Sequence, residues 1–350
     1  MDKLNRRLQN IPAEIWKDIA AIDELKGRWA ASANLHPQVL TRLKRSVLIT
    51  STGASTRIEG ARLTDNDIEK LMRGISIEKF KDRDVQEVKG YFELLQNVLD
   101  SWQSLNFNES AIKHFHKELL KYVKKDKLHR GNYKRNENKV QMIDEKGQSI
   151  GILFDTTPAY MTPIAMQELV EWTDQALKEK SYHPILTIGN FLVEFLQIHP
   201  FQDGNGRLSR FLTNLLLLKE GYLYIPYVSH EKLIEDNKPD YYLALRNSQK
   251  SFNTKKEDIT SWLYFLVKVV HLQSQMAVDL LTTETIEKIL SPIQLAVWEY
   301  IQKVKQTSPL EISKNTNVAR PTVNQVLNKL LKLKKIERMG LGRSTRYRLV

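Results

Sequence analysis

The chain has 350 residues, of which 41% are hydrophobic and 27% charged, a composition typical of a globular protein with two or three domains. It contains no Cys, which excludes disulfide bonds and thiolate metal sites. Its most apolar stretches are shorter than the ~20 residues of a membrane span, so we expect no membrane partner, no signal peptide and a cytoplasmic location. The formal net charge is +12, and residues 301–350 contribute +10 of it through twelve Lys or Arg and two Glu. An anionic partner is therefore expected at this end of the chain.

Apolar residues recur at three- and four-residue spacing along most of the chain, a pattern that predicts amphipathic helices. In the first part of the chain, the predicted helices cover residues 11–25, 37–51, 65–72, 85–102 and 108–123. Residues 139–144 and 149–154 instead flank the turn-like Glu145-Lys-Gly147, which predicts a β-hairpin. Helices resume at residues 162–178, 184–197, 208–220 and 239–251, and from 258 to about 290.

The sequence after Ser291 has a different pattern. It predicts three helices and then two short strands, over residues 292–303, 310–316, 320–333, 336–339 and 345–350. Pro321 lies near the start of the third predicted helix, where the missing N–H is tolerated. Three helices followed by a basic hairpin are typical of a winged helix-turn-helix. The predicted fold class is therefore mainly α, with a small C-terminal α+β winged-helix domain.

In such a domain, residues 320–334 would be the recognition helix and the last two strands the wing. On the helix, the residues placed to contact base edges or phosphates are Arg320, Thr322, Asn324 and Gln325. On the wing, they are Arg343, Arg346 and Arg348. DNA is therefore a candidate partner for residues 310–350. Winged helices also act as protein-interaction or dimerisation modules, so a protein partner or a homodimer is the alternative.

The strongest chemical pattern lies between residues 184 and 220. An apolar helix ends at Pro200, directly after His199, and a second helix follows a short loop. Gly204 and Gly206 let backbone N–H groups approach a ligand, and at a helix N-terminus such donors form an anion site. His199 is the side chain best suited to accept a proton near neutral pH.

Three charged side chains complete this pattern. Arg207 and Arg210 are three residues apart, so both can face one ligand, and Arg suits phosphate oxygens. Asp203 would repel phosphate unless a divalent cation lay between them, and Mg²⁺ held by one carboxylate and phosphate oxygens is the natural choice. Taken singly, these residues could simply cap or pair helices. Their coincidence in one short loop favours a polyphosphate site.

The segment from His199 to Arg210 resembles the Fic family signature, His-x-Phe-x-Asp/Glu-Gly-Asn-Gly-Arg-x-x-Arg, at every specified position. The resemblance implies a Fic-type helical core with a β-hairpin flap. It also implies an enzyme that transfers AMP from ATP to a protein hydroxyl. Related Doc-type kinases look different, with Lys in place of the second Gly, so Gly206 favours AMP transfer.

The same resemblance implies a role for each position of the loop. His199 would be the general base that takes the proton from the target hydroxyl, and Asp203 would hold Mg²⁺ on the α- and β-phosphates. Arg207 would neutralise charge on the leaving pyrophosphate, and Arg210 would bind the γ-phosphate. The phosphates would be cradled by Gly204, Asn205 and Gly206.

Two further segments resemble parts of the Fic core. Residues 131–135, with the predicted hairpin after them, look like the flap that clamps a target chain by main-chain pairing. A purely structural hairpin would show the same pattern. Residues 240–245 resemble a segment that lines the adenine pocket, where Tyr242 is our candidate contact and Leu196, one turn before His199, is a second. Either residue could equally belong to the core.

Upstream of the loop, Ser55-Thr-Arg-Ile-Glu59-Gly60 is similar to the Fic inhibitory motif, Ser/Thr-x-x-x-Glu-Gly/Asn. The resemblance implies that Glu59 pairs with Arg210 and holds it away from the γ-phosphate, so that ATP binds in a less productive pose. The alternative is a Glu that merely ends a helix before Gly60. We expect a protein that is autoinhibited in cis.

These observations predict an N-terminal helical region with the inhibitory motif (residues 1–105), a Fic catalytic core (106–285) and a winged helix-turn-helix domain (286–350). The predicted function is ATP- and Mg²⁺-dependent adenylylation of a Tyr, Thr or Ser hydroxyl, on another protein or on the chain itself. Two alternatives would use the same site. One is a nucleotide-sensing, DNA-binding regulator, and the other is a hydrolase that removes AMP from modified proteins.

Overall fold

The computed structural model describes residues 2–32, 37–74, 82–143, 149–282, 290–340 and 345–350. The chain forms two units: unit 1 consists of Met1–Asn34 and Leu40–Leu281, and unit 2 of Leu35–Val39 and Thr282–Val350. Within the described ranges, helices dominate both units, and the strands form two separate two-stranded antiparallel sheets. The predicted mainly α fold class is confirmed.

Up to residue 119, the regular secondary structure of the described residues is helical. Its helices are α1 (Asp2–Arg7), α2 (Ala13–Ser32), α3 (Pro37–Ile58), α4 (Asp65–Met72), α5 (Asp82–Ser101) and α6 (Glu109–Leu119). The start of α4 is fixed by a capping box, in which Thr64 and Asp67 each bond the other's backbone N–H. Asn108 caps α6 by accepting the N–H of Ala111 at 2.8 Å.

Helix α3 continues to Ile58, beyond the predicted end at residue 51, because its hydroxyl side chains bond within the helix. The hydroxyl of Thr52 donates to the carbonyl of Leu48 at 2.7 Å, and that of Thr56 to the carbonyl of Thr52 at 2.8 Å. These bonds satisfy the hydroxyls, so a polar sequence can be both helical and buried. The extension carries the predicted inhibitory motif on the last turn of a helix.

The second part of unit 1 begins with the hairpin of β1 (Lys139–Ile143) and β2 (Ser149–Asp155), paired antiparallel. The helices after it are α7 (Thr162–Glu179), α8 (Pro184–Ile198), α9 (Asn205–Lys219), α10 (His230–Asp236), α11 (Lys238–Gln249) and α12 (Thr260–Thr282). Helix α9 begins earlier than the predicted Leu208, because Gly204 takes a left-handed conformation and caps it. Helices α1 and α10, of six and seven residues, were not predicted.

Helices α8 and α9 lie at the centre of unit 1. Every residue from Ile185 to Ile198 is buried, including the polar stripe of Thr187, Asn190, Glu194 and Gln197. Helix α9 is buried from Arg207 to Leu218, and it packs against α8, α5 and α6. This burial holds both ends of the loop that joins α8 to α9. None of the helices in the described ranges is long and apolar enough to cross a membrane.

Unit 2 contains α13 (Pro292–Gln302), α14 (Pro309–Thr316), α15 (Arg320–Lys332), β3 (Ile336–Met339) and β4 (Arg346–Leu349). The two strands pair antiparallel, with Ile336 opposite Leu349. All five elements contribute side chains to one small apolar core. In chain order, one such residue from each element is Trp298, Ile312, Val326, Ile336 and Tyr347. The order of elements is the predicted one, and the winged helix-turn-helix assignment stays a prediction.

Three features of the sequence analysis lie outside the described residues. They are the predicted turn at residues 145–147, the last part of the long helix predicted to reach about residue 290, and Arg343 on the predicted wing. The other two predicted wing residues, Arg346 and Arg348, lie on β4. The long helix is described as α12, which ends at Thr282.

Candidate active site

The loop from α8 to α9 is held in shape by its own backbone geometry and by one buried amide. His199 ends α8 in a left-handed conformation (φ 50°), and Gly204 starts α9 in another (φ 82°). The Asn205 side chain accepts the N–H of Phe201 at 2.9 Å and donates to its carbonyl at 2.7 Å. The buried Asn205 side chain thus holds the loop, and its backbone N–H lies at the start of α9.

His116 on α6 attaches the loop to the rest of unit 1, a role that the sequence analysis missed. Its Nδ1 accepts the N–H of Gly131 at 2.9 Å, so its Nε2 carries the proton and donates to the carbonyl of Asp203 at 2.9 Å. The ring stacks on Phe201 with centroids 3.8 Å apart. Burial lowers the pKa of His116 to about 4, so the ring is neutral near pH 7.

His199 presents one ring nitrogen to the site. A backbone carbonyl can only accept, so the 3.3 Å contact between Nδ1 and the carbonyl of Leu196 places the proton on Nδ1. Nε2 is therefore the basic nitrogen. Burial, helped by the Lys134 cation, lowers the pKa of His199 to about 4. The Leu196 side chain is 5% exposed, so its clearest contribution in the structure is the carbonyl that fixes this tautomer.

The hairpin is attached to the end of α8 by a buried lysine. Lys134 Nζ donates to the carbonyl of Ile198 at 3.0 Å, to Thr156 Oγ1 at 2.9 Å and to Asn138 Oδ1 at 2.8 Å. Asn138 directly precedes β1 and Thr156 directly follows β2, and Thr156 also donates to the Asn138 carbonyl at 2.8 Å. The base of the predicted flap is thus bonded to the residue before His199.

Asp203, Arg207, Glu87 and Arg83 form a closed ring of four ion pairs, which we call the charge ring. Arg207 contacts Asp203 Oδ1 at 3.2 Å and Glu87 Oε2 at 2.8 Å. Arg83 contacts Asp203 Oδ2 at 2.6 Å and Glu87 Oε1 at 2.8 Å. Burial opposes ionisation of Asp203, but Arg207, the Gly204 N–H and Arg83 outweigh it and lower the pKa of this carboxyl.

Arg210 is buried and bonded to the end of α3, which brings together two residues that the sequence separates widely. Its Nε donates to Ser55 Oγ at 2.9 Å, and its Nη2 donates to the Ser55 carbonyl at 2.9 Å and to Glu59 Oε1 at 2.7 Å. A Cβ added at Gly206 would overlap with the Glu59 carboxylate, so Glu59 lies directly over the first turn of α9. Although burial opposes it, Glu59 raises the pKa of Arg210.

The two tyrosines at the start of α11 differ in their surroundings. Tyr241 is buried between Trp262 and Phe265, at 5.8 Å and 5.7 Å between ring centroids. Tyr242 is half-buried, and burial together with the nearby Glu59 carboxylate raises its pKa. The predicted adenine contact, Tyr242, therefore lies near Glu59, and its ring packs edge-on against that of Tyr241 with centroids 5.1 Å apart.

Asp203 is suited to Mg²⁺ only in company with phosphate. Its carboxylate is ionised at neutral pH and 35% exposed, so a cation can approach it. Within the part of the chain that is described, no three His, Cys, Asp or Glu side chains are grouped to hold a metal by themselves. One carboxylate completed by phosphate oxygens and water is the donor set that Mg²⁺ accepts, so the residues present fit this ion.

The assembled site combines a neutral imidazole, an acidic side chain and an anion-binding helix start. The first backbone N–H groups of α9 have no acceptor within the helix, and the helix dipole favours a negative charge beside them. Arg207 and Arg210 approach the same end of α9. Such a site can bind a polyphosphate and take a proton from a hydroxyl group beside it.

The comparisons with known proteins concern mainly the central part of the chain. Residues 106–217 match the Fic/DOC family. A probable protein adenylyltransferase from Aquifex aeolicus is 34% identical over 84 residues, 24% of this chain and 25% of that protein. The protein adenylyltransferase Fic of Drosophila mojavensis is 31% identical over 120 residues, 34% of this chain and 21% of that protein. The matches thus span a quarter or less of these relatives' lengths.

Solved structures resemble the chain over a larger part of its length. A Fic family protein from Desulfovibrio desulfuricans gives a TM-score of 0.67 at 25% identity, over 97% of each chain. A Fic domain containing signaling protein from Bacteroides thetaiotaomicron gives 0.62 at 22% identity, over 76% of this chain and 98% of that one. The predicted Fic-type helical core is confirmed by these likenesses.

Proposed function

We propose that the chain is a protein adenylyltransferase that transfers AMP from ATP to a Tyr, Thr or Ser hydroxyl, and that Glu59 restrains this activity. The observation that supports the proposal best is that His199, Asp203 and Arg210 face one helix start within a Fic/DOC domain. The names of the curated relatives agree with it. The target is another protein or the chain itself.

The reaction needs a base, charge neutralisation and an aligned hydroxyl. The hydroxyl oxygen attacks the α-phosphorus of ATP, the bond to the oxygen bridging to the β-phosphate breaks, and pyrophosphate leaves. The hydroxyl proton goes to Nε2 of His199, because Nδ1 is held by the Leu196 carbonyl. Arg207 and the N–H groups at the start of α9 stabilise the negative charge that develops on the phosphates. Bound Mg²⁺ would supply further neutralisation beside Asp203.

The low pKa of His199, about 4 without a ligand, suits this order of events. The imidazole is neutral near pH 7, so it can receive a proton as soon as ATP binds. A nearby anion favours the protonated form of an imidazole, so bound triphosphate raises the pKa of His199 toward the range in which a general base works best.

The restraint follows from competition for one guanidinium. Arg210 is the predicted γ-phosphate ligand, and its Nη2 already donates to Glu59 and to the Ser55 carbonyl. The Glu59 carboxylate also covers Gly206, where a phosphate would approach the α9 backbone. ATP can therefore engage Arg210 fully only after Glu59 has moved away.

The proposal is tested by incubating the purified chain with ATP and Mg²⁺ and measuring AMP added to it by mass spectrometry. We expect slow self-modification of the wild type and faster modification of Glu59→Ala, by about ten- to a hundredfold, the usual range for a lost hydrogen bond between charged groups. His199→Ala should abolish transfer but retain ATP binding, because His199 contacts no phosphate in this scheme.

Glu69→Ala is the matched control for Glu59→Ala, since Glu69 is a carboxylate on the neighbouring α4 that pairs with Arg73. Its transfer rate should equal that of the wild type. Equal rates for Glu59→Ala and the wild type would refute the restraint. AMP found on no variant would refute self-modification, and AMP at the wild-type rate on His199→Ala would refute catalysis by His199. Release of AMP from a modified protein would instead support the hydrolase alternative.

We also propose that unit 2 binds double-stranded DNA. The supporting observation is one face of α15 that is polar, exposed and carries no acidic side chain, formed by Arg320, Asn324, Gln325, Asn328 and Lys332. The opposite face, which includes Val323 and Leu327, fills the core of unit 2. Asn and Gln can read base edges and Arg binds phosphates or guanine, so this face suits a major groove.

A mobility-shift assay with a short mixed-sequence duplex tests this second proposal. We expect binding at low salt that weakens as salt rises, because contacts to phosphate release counterions. Arg320→Ala should bind several-fold more weakly, whereas Lys303→Ala should bind like the wild type, since Lys303 is an exposed cation at the end of α13. A wild-type chain that leaves the duplex unshifted at low salt would rule out DNA and favour a protein partner.

A further inference from the structure

The outer half of the charge ring has no role in the scheme above. Arg83, on the first turn of α5, places Nη2 2.6 Å from Asp203 Oδ2 while its Nε is 2.8 Å from Glu87 Oε1. In each carboxylate of the ring, one oxygen contacts Arg83 and the other contacts Arg207. The ring contains two carboxylates and two guanidiniums, so its formal charges cancel. Arg83 thus occupies the one Asp203 oxygen that Arg207 and the Gly204 N–H leave available.

The two halves of the ring differ in exposure. The Arg207 side chain is 2% exposed and Glu87 is 11% exposed, so the inner pair is enclosed by protein. Arg83 and Asp203 are 46% and 35% exposed, so the outer pair faces solvent. An ion pair open to water contributes little and is readily exchanged, whereas an enclosed one is costly to break. The ring can therefore open at Arg83 without disturbing Arg207.

The position of Arg83 conflicts with the cation that the transfer reaction needs. A cation bound to Asp203 Oδ2 would lie about 2 Å from that oxygen, in the volume and the charge environment that the Arg83 guanidinium now fills. We propose that Arg83 is a stand-in for the divalent cation at Asp203, and that the cation must displace it when nucleotide binds. This inference rests on the proposed function and adds a residue that sets the cation requirement of the same site.

Two neighbouring contacts explain how Arg83 would remain close after displacement. Its Nε stays with Glu87, and Asp126 Oδ2 lies 3.7 Å from its Nη2. A small rotation of the Arg83 side chain can therefore replace its ion pair with Asp203 by one with Asp126. This restraint is separate from the one at Glu59, because Glu59 acts on Arg210 and Arg83 acts on Asp203.

The test measures ADP binding by calorimetry at increasing Mg²⁺, with the full chain as wild type, Arg83→Ala and Lys125→Ala. Removing a competitor that is held by an exposed ion pair should lower the Mg²⁺ concentration at half-maximal binding by about fivefold, equivalent to ~1 kcal/mol. Lys125 is an exposed cation next to Asp126 and serves as the charge-matched control. Its removal should leave the Mg²⁺ midpoint unchanged.

The outcomes separate competition from other roles of Arg83. An unchanged or higher Mg²⁺ midpoint in Arg83→Ala would overturn the proposal, as would an equal decrease in Lys125→Ala, which would show a general field effect. Weaker ADP binding by Arg83→Ala without Mg²⁺ would identify Arg83 as a phosphate ligand and would also overturn it. Binding requires no transfer, so a chain that binds ADP but never transfers AMP would refute the proposed function alone. A chain that binds no ADP would refute both.

Discussion

At the scale of single residues, the site depends on two histidines that are neutral for the same physical reason but serve different purposes. His199 is held in a left-handed conformation, which costs ~1 kcal/mol and directs its ring into the site. His116 lies behind the loop and uses both ring nitrogens, one as acceptor and one as donor. The first histidine can change its protonation state in a reaction, whereas the second cannot do so without breaking the loop attachment.

We predict that this arrangement makes folding sensitive to acid. The pKa of His116 is about 4 in the folded chain and about 6.5 when unfolded, so the unfolded chain takes up the proton first as the pH falls. The stabilisation by His116 is complete above about pH 6.5 and is lost toward about pH 4, by up to ~3 kcal/mol. His199 acts in the same direction. Thermal unfolding of the wild type should therefore shift to lower temperature across this pH range.

His116→Gln is the informative variant, because a Gln amide can both donate and accept but does not titrate in this range. Its unfolding temperature should vary less with pH than that of the wild type. His129→Gln is the control, since His129 is exposed and its replacement should leave the pH dependence unchanged. Identical pH profiles for the wild type and His116→Gln would show that protonation of His116 does not limit stability.

At the scale of elements, the hairpin and α8 are joined because both accept hydrogen bonds from Lys134. Burial lowers the pKa of Lys134 to about 8, so the side chain is still charged near pH 7, and its three acceptors come from α8 and from both ends of the hairpin. If β1 and β2 align a target hydroxyl, as the resemblance implies, this attachment sets the distance from the target to His199.

Lys134→Met should therefore loosen the hairpin more than it affects the nucleotide site. The variant leaves the acceptors of Ile198, Asn138 and Thr156 without this donor, at a cost of about 1–3 kcal/mol. We expect faster cleavage by thermolysin between residues 138 and 156, with ADP affinity close to that of the wild type. Lys127→Met, at an exposed lysine of the same segment, is the control. Equal cleavage of the two variants would contradict the anchoring role.

At the scale of the whole molecule, the sequence predicted the contiguous motif of the site but not the contacts between residues far apart in the chain. The residues from His199 to Arg210 form a contiguous motif, so their chemistry could be interpreted without a structure. The contact of Glu59 with Arg210 was predicted only through the family resemblance. Arg83, Glu87 and His116 have partners more than 80 residues away, and a single charged or aromatic side chain on a helix gives no indication of such a partner.

The boundaries of helices were also predicted well in some places and missed in others. Long apolar helices such as α8 were predicted closely, because burial on all faces leaves a clear pattern. The last two turns of α3 were missed, because their hydroxyl side chains are satisfied inside the helix and resemble a loop in the sequence. Those turns hold Ser55, so the missed part of the element is the part that reaches the active site.

If Glu59 restrains transfer as proposed, the closeness of Gly206 to Glu59 limits which mutations could release the activity. Any side chain at Gly206 would push Glu59 away, but it would also fill the space where phosphate meets the start of α9. Under the proposed function, a substitution there would remove the restraint by Glu59 and the binding of phosphate together. In a random library selected for high activity, the recovered changes should therefore fall at the end of α3, and position 206 should remain glycine.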